Sequence, residues 1–514
     1  MVGSPGFNGS RGQAHAFSEP VDGVLRVDPD YCAVVGTPPW SGACIERALS
    51  EANFNSAFDT VAIEPGNYTG CSHAAGARVT RSHLLIASAS KVSPAPQGTL
   101  PDVVWSCDGV ANVRPLSLVG AHNVTVSGLA FRDSEGPLLD GGLVSVIDSS
   151  GIAFVGCTFS DGKAGSGGAM LVRGSAVVIR DASFRGNTAV GSGGGVGGGG
   201  SIAAADGALV AVVDSVFEDG RALVGAALHS VASSISLTRC TLSGMTASVE
   251  GGVAWVQGRE ITLVNTTMTG TSFVCGGKGV WGAVGDGVDL DLEQTAWICF
   301  FFFFFFFPRC CRPTPPVVTF FPPCLFCYHN AGCIRVRGAS IHGSAGASLV
   351  GCTAGFGGGV CADWEGDAGS VAELRGVSIR DCNASRSGGG IYAEADALSA
   401  AIRVVDVDVS GCSAGAVGGG LAATFGIQEI VGSRNLAVVN STFTGNTATR
   451  GGGKGGSWVF GVVVVCCQLA YTAGNSLWGG SVGWQLAYNA CTMDIRSMSQ
   501  VSSPKLTPWL SRRW

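Results

Sequence analysis

The sequence predicts an all-β chain: a right-handed parallel β-helix, a solenoid of stacked coils, with a short N-terminal capping helix. Two observations carry this. A four-position pattern of small or apolar residues, at offsets −7, −5, −2 and 0 from an anchor such as Phe184, recurs ten times between Val124 and Phe443. A glycine cluster follows most anchors by about nine residues, as at Gly167-Gly168, Gly193 to Gly195 and Gly418 to Gly420. Positions −7 and −5 share one face of a strand, as do −2 and 0, and the odd step between them reverses the face unless the backbone bends. Each coil is therefore expected as strand, bend, strand, glycine turn and a further strand. Anchor spacings of 28, 25, 33, 25 and 26 residues in the first half suit one coil per repeat. Leucine-rich repeats, propeller blades and helical solenoids lack this combination of period-two alternation and glycine turns.

Residues 1–40 are read as an irregular N-terminal segment, and residues 41–114 as the capping helix and first coils. "ACIERALSEANFNSAFD" puts Ile45, Ala48, Leu49 and Ala52 on one helical face, which can cover the open end of a β-helix. Val61 and Ile63 then alternate before the Pro65-Gly66 turn, as the entry to the first coil. Residues 115–455 carry the repeats, anchored at Phe131, Phe159, Phe184, Phe217, Leu242, Met268, Ile341, Ile379, Val409 and Phe443. Leu290, Leu292, Thr295 and Trp297 satisfy the same offsets, so an eleventh coil is expected at Trp297.

"CFFFFFFFFPRCC" interrupts this pattern at residues 299–311. Ala296 to Phe307 supplies twelve apolar residues before Pro308 and Arg309, about 18 Å of helix against the roughly 30 Å of a bilayer core. No membrane span is expected. Residues 299–329 use residues with pyrimidine-rich codons and read as a non-native insertion, a translated intron. Residues 456–514, where the pattern stops, read as a doubtful C-terminal tail; the apolar run Trp458 to Cys467 is also too short to span.

Composition agrees with a folded chain: 46% apolar and 13% charged residues, 80 glycines and a net charge of −6. No basic block marks a nucleic-acid surface. Of the 20 cysteines, Cys32, Cys44, Cys71 and Cys107 precede the repeats, where disulfides can staple an end. Cys157, Cys240, Cys352, Cys382 and Cys412 lie among the repeats, open to either single buried thiols or bridges. Asn-X-Ser/Thr sequons begin at Asn8, Asn67, Asn123, Asn265, Asn383 and Asn440; the last five are candidate N-glycosylation sites and lean toward secretion, although residues 1–23 hold no apolar signal-peptide core.

"FRGN" at 184–187, "FTGN" at 443–446 and "GGAM" at 167–170 resemble the paired FxxN and GGA[ILV] motifs of chlamydial-type polymorphic outer-membrane proteins and related pectin-lyase-like β-helix proteins. The resemblance covers about residues 115–455. It implies the fold and says little of the activity; some β-helix proteins are polysaccharide-cleaving enzymes.

For catalysis, lyases of this class imply acidic Ca²⁺ ligands with an Arg or Lys base, and hydrolases imply Asp clusters with His. Arg180, Arg239 and Arg375 show no matching carboxylates in register, and His229 reads as a packed or solvated histidine. Asp289, Asp291 and Glu293 share one strand face that could hold Ca²⁺ but reads better as a solvated outside. Cys324 and Cys327 lack the second pair of a zinc site. "DWEGD" at 363–367 is an acidic loop with Trp364 for sugar contact, and "GGGVGGGG" at 193–200 lacks a phosphate loop's Lys-Ser/Thr. No catalytic, cofactor or metal residue is assigned. The expectation is a non-catalytic extracellular or cell-surface protein with an adhesion, matrix or glycan-contacting role, whose partners are polysaccharide or cell-wall and matrix components and not nucleic acid. The alternative is a polysaccharide lyase or glycoside hydrolase.

Overall fold

In the computed structural model, the described residues form a right-handed parallel β-helix built of a 26-stranded and an 11-stranded sheet, with a six-stranded and a four-stranded sheet of shorter strands. The structure describes residues 23–71, 76–91, 101–108, 110–191, 198–269, 272–273, 332–344, 346–364, 371–395, 401–425, 434–449, 458–467 and 494–498. The chain divides into a unit of residues 1–273 and 329–514 and a second unit of residues 274–328; the second lies outside the described residues.

One coil shows how the repeat is built. Met170–Arg173 lies in an 11-stranded sheet; Ala176–Arg180 and Ser183–Arg185, joined by a bend, lie in a 26-stranded sheet; Thr188–Ala189 lies in a six-stranded sheet; and Ile202–Ala205 returns to the first. Successive coils pair in parallel and in register: Val177 opposite Val210, Phe184 opposite Phe217. The anchors stack inside as one column, with ring centroids 5.4 Å apart for Phe131–Phe159, 4.7 Å for Phe159–Phe184 and 4.5 Å for Phe184–Phe217. Burying each such ring contributes roughly 1.5–3 kcal/mol. The column begins earlier than the sequence pattern, with Tyr68 opposite Trp105 and Trp105 opposite Phe131.

Polar inward residues stitch adjacent coils at the bends. Ser215, at offset −2, accepts a hydrogen bond from Ala182 N at 3.1 Å, and Ser441 accepts one from Val407 N at 3.1 Å. Each hydroxyl satisfies an amide that the bend leaves outside the ladder. The asparagines of FRGN and FTGN act likewise at the next corner. Asn187 donates to Phe159 O at 2.9 Å and accepts from Gly162 N at 3.0 Å; Asn446 donates to Val409 O at 2.9 Å and accepts from Cys412 N at 2.8 Å. The glycine turns are equally specific. A Cβ on Gly168 would run into the carbonyl oxygen of Gly200 in the next coil, so only glycine allows the coils to close up there.

The capping helix is Gly42–Phe54, N-capped by Ser41 and burying Ile45, Ala48, Leu49 and Ala52. Disulfides Cys32–Cys44 and Cys71–Cys107 staple this end, formed by the four cysteines that precede the repeats. Residues 1–40, read as irregular, contain the strand Val24–Val27 and the helix Pro29–Val34; the strand pairs in parallel with Thr60–Ile63.

One register expectation is corrected. Ile341 is not an anchor: it pairs with Ile261, and Leu349 pairs with Met268 and takes the anchor place. Ile334 and Val336 belong to the 11-stranded sheet, opposite Ala254 and Val256. The Met268 and Leu349 coils are directly hydrogen-bonded in the 26-stranded sheet; the coil expected at Trp297 lies outside the described residues. Met268 and Leu349 are 81 positions apart, and the second unit takes 55 of them, leaving 26, the length of one ordinary coil. At the other end, Trp458–Cys467, within the segment read as doubtful, pairs antiparallel with Arg434–Thr444 and covers the edge of the last coil.

Candidate functional site

The outer face of the 26-stranded sheet and its corners carry the exposed chemistry. Neighbouring coils bring together charges that lie 25–33 positions apart in sequence: Arg185 with Glu218 at 2.5 Å, Arg239 with Asp214 at 2.5 Å, and Lys163 with Glu135 at 3.0 Å. This corrects the expectation that Arg239 and Arg375 lack carboxylates in register. Arg239 meets Asp214 with two nitrogens, and Arg375 lies between Glu373 at 2.6 Å and Asp406 at 3.9 Å. The hydrogen bond from Arg239 holds Asp214 below the usual carboxylate range.

One group of carboxylates escaped the sequence reading. Asp108, Asp133 and Asp161 stand on three successive coils and line one open cleft with Glu135, Ser134 and Lys163. Each occupies a left-handed corner, with φ of 51°, 53° and 56°, which aspartate tolerates better than most residues. Ser106 Oγ lies 3.2 Å from both Asp108 and Asp133 and donates to one of them. Partial burial, then the Asp133 carboxylate, raises the Asp161 pKa above the usual range. Parallel neighbours are roughly 4.8 Å apart, so the column sets a carboxyl group that holds its proton more readily than usual beside a second carboxyl group. That pairing can donate and accept protons. The signal was present: Asp133 and Asp161 both follow their anchors by two, as do Asp219 and Asp381.

The remaining sequence candidates are placed as follows. Asn67, Asn123, Asn265, Asn383 and Asn440 are all exposed, and Asn123, Asn265 and Asn440 sit at left-handed corners. Asn8, Asp289, Asp291, Glu293, Cys324 and Cys327 lie outside the described residues. His229 is buried, stacked on Trp255 at 4.8 Å between centroids, and its Nε2 has no hydrogen-bond partner. Burial pushes its pKa down to about 4. Asp363, read as part of an acidic loop, is instead buried at the end of a strand and paired with Arg335 at 2.9 Å; the Trp364 side chain lies outside the described residues. Among the cysteines of the repeats, Cys157, Cys240, Cys382 and Cys412 are free and buried, whereas Cys352 is bridged to Cys333. Among the described residues no group of three His, Cys, Asp or Glu side chains is placed to hold a metal ion, and no helix is long and apolar enough to cross a membrane.

No family model and no curated protein matches the chain. Solved structures similar to it include the surface adhesin PfbA of Streptococcus pneumoniae, at 11% identity and a TM-score of 0.34 over 86% of this chain and 99% of that one. Another is the catalytic unit of a GH87 α-1,3-glucanase from Streptomyces thermodiastaticus, at 12% identity and a TM-score of 0.34 over 80% of this chain and 65% of that one. A third is DFA-IIIase from Arthrobacter chlorophenolicus without its lid, at 11% identity and a TM-score of 0.32 over 80% of this chain and all of that one.

Proposed function

We propose that this chain is a non-catalytic, extracellular or cell-surface β-helix protein whose stacked faces contact polysaccharide or cell-wall and matrix components. The observation that carries this reading is the pairing of outward charges across successive coils, Arg185 with Glu218 and Arg239 with Asp214 among them. The guanidinium groups hold these carboxylates in place. They present a polar surface that repeats at the coil spacing, suited to lining up against a chain of sugar hydroxyls and carboxylates. Disulfides at the N-terminal end and five exposed sequons support an oxidising, secretory setting, with N-glycans on Asn67, Asn123, Asn265, Asn383 and Asn440. Within this reading the FxxN and GGA[ILV] repeats are of the polymorphic outer-membrane-protein type, and residues 299–329 are an insertion foreign to the coil.

The Asp108–Asp133–Asp161 column favours a second reading, a polysaccharide lyase or glycoside hydrolase. The two separate in one experiment. The purified chain is applied to immobilised polysaccharides and, in parallel, assayed for reducing-end and uronate release from the same polymers with and without Ca²⁺. Binding without release is expected. Release that disappears in Asp161→Asn while binding persists would refute the non-catalytic reading.

A further inference from the structure

Three residues past the anchor, where the FRGN and FTGN coils carry asparagine, three successive coils carry cysteine: Cys352, Cys382 and Cys412 follow Leu349, Ile379 and Val409. All three are essentially fully buried. Asn383 N donates to Cys352 O at 2.8 Å, and Ser413 N donates to Cys382 O at 2.8 Å, so the three residues stand one above another. Parallel neighbours are roughly 4.8 Å apart, within the span of about 4.4–6.8 Å between Cα atoms that a disulfide accepts. The thiols of Cys382 and Cys412 point into this column, Cys382 Sγ 3.2 Å from Arg380 O and Cys412 Sγ 3.4 Å from Ser410 O. Cys352, at one end of the column, is already bridged to Cys333, the residue before the strand Ile334–Arg337.

We propose that these four cysteines form an internal thiol–disulfide exchange column, in which one bridge moves from Cys333–Cys352 to Cys352–Cys382 and on to Cys382–Cys412. In the first step the Cys382 thiolate attacks Cys352 Sγ. The new S–S bond forms as the Cys333–Cys352 bond breaks, and Cys333 leaves as a thiolate that takes up the proton Cys382 gave up. In the second step Cys412 attacks Cys382 Sγ and Cys352 leaves in the same manner. One disulfide and two thiols are present throughout, so no oxidant or reductant is consumed.

The column also selects its own nucleophile. The neighbouring Cys412 holds the Cys382 thiol below its ordinary pKa against the opposing effect of burial, and Cys382 in turn raises Cys412. At Cys157, with no cysteine beside it, burial outweighs backbone hydrogen bonds and pushes the thiol up to about 11. The position of the bridge has a mechanical meaning. At Cys333–Cys352 it ties the start of the strand Ile334–Arg337 to a corner of its coil, whereas at Cys352–Cys382 it ties coil to coil and releases that start.

The test uses the full oxidised chain without added thiol, held at pH 8.5, quenched in acid at intervals, alkylated under denaturing conditions and mapped by mass spectrometry. A Cys352–Cys382 peptide should grow in as Cys333 becomes alkylated, at a rate independent of protein concentration. Both changes should vanish in Cys382→Ser and in Cys382→Ala. A bridge that stays wholly at Cys333–Cys352 in the natural sequence at every time overturns the proposal without recourse to a variant. So does a rate proportional to protein concentration, which marks exchange between molecules.

Discussion

Arg335 and Asp363, on adjacent strands of the 11-stranded sheet, form a buried ion pair 2.9 Å long, and the other guanidinium nitrogen of Arg335 reaches Glu250 at 2.6 Å. The three residues belong to three successive coils, so the cation ties the strand that re-enters the stack at Ile334 to both of its neighbours. Removing one partner of a buried pair strands the other, at a cost of about 3–5 kcal/mol. Asp363→Ala should therefore lower stability by about 3 kcal/mol in chemical denaturation, and Arg335→Met combined with Asp363→Leu should recover part of that loss. Equal stability of Asp363→Ala and the natural protein would mean that the pair does not hold the re-entry.

The anchor column makes a sharper demand on packing. Phe184 lies between Phe159 and Phe217 with no room for water. Phe184→Ala should cost about 3–5 kcal/mol, and Phe184→Asp should open the stack locally, seen as amide exchange spreading through the coils on either side. Unchanged melting of Phe184→Asp would put the register in error.

Asp161 and Gly186 are neighbours in the corner column. A Cβ on Gly186 would lie 2.7 Å from Asp161 Oδ1, and the glycine φ is +64°. Gly186→Ala therefore combines a left-handed backbone, about 1–2 kcal/mol, with a steric conflict. In an Asp161→Gly background only the first should remain. A double-mutant cycle measures the difference, and strict additivity would contradict the contact.

His229 predicts a pH dependence with a definite sign. Its folded pKa of about 4 lies below the ordinary value of 6.5, so the unfolded chain binds the proton more readily. Its contribution is constant above pH 6.5 or so and stability falls as pH drops from there to about 4, by roughly 3 kcal/mol in all. His229→Phe keeps an aromatic ring against Trp255 and should remove this fall between pH 7 and 4. Parallel curves for the two proteins would show that the ring is charged in the folded state.

The inward pattern was legible in the sequence because each buried column demands apolar side chains at fixed offsets, and nine of the ten anchors lie in the stacked column. Ile341 was misplaced because alternation is the same in every sheet. Ile334, Val336, Ala339 and Ile341 meet the offsets while spanning a corner, with two residues in one sheet and Ile341 in another. Trp297, which meets the same offsets, lies outside the described residues. The charge ladders were not legible, and the acidic cleft left only a weak trace, aspartates two places past their anchors. Outward positions carry no hydrophobic period, and Arg185 and Glu218 become neighbours only when the coil length between them is known to be 33 residues.

The direct stacking of the Met268 coil on the Leu349 coil is tested most directly by a cross-link. Thr267 and Ser348 are register partners on adjacent strands, with hydroxyl oxygens 3.3 Å apart. Thr267→Cys combined with Ser348→Cys should yield a disulfide between these positions on mild oxidation, identified by peptide mapping. A coil anchored at Trp297 between them would place the two positions roughly 9.6 Å apart, two strand spacings, and the absence of that bridge in a folded double variant would contradict the account.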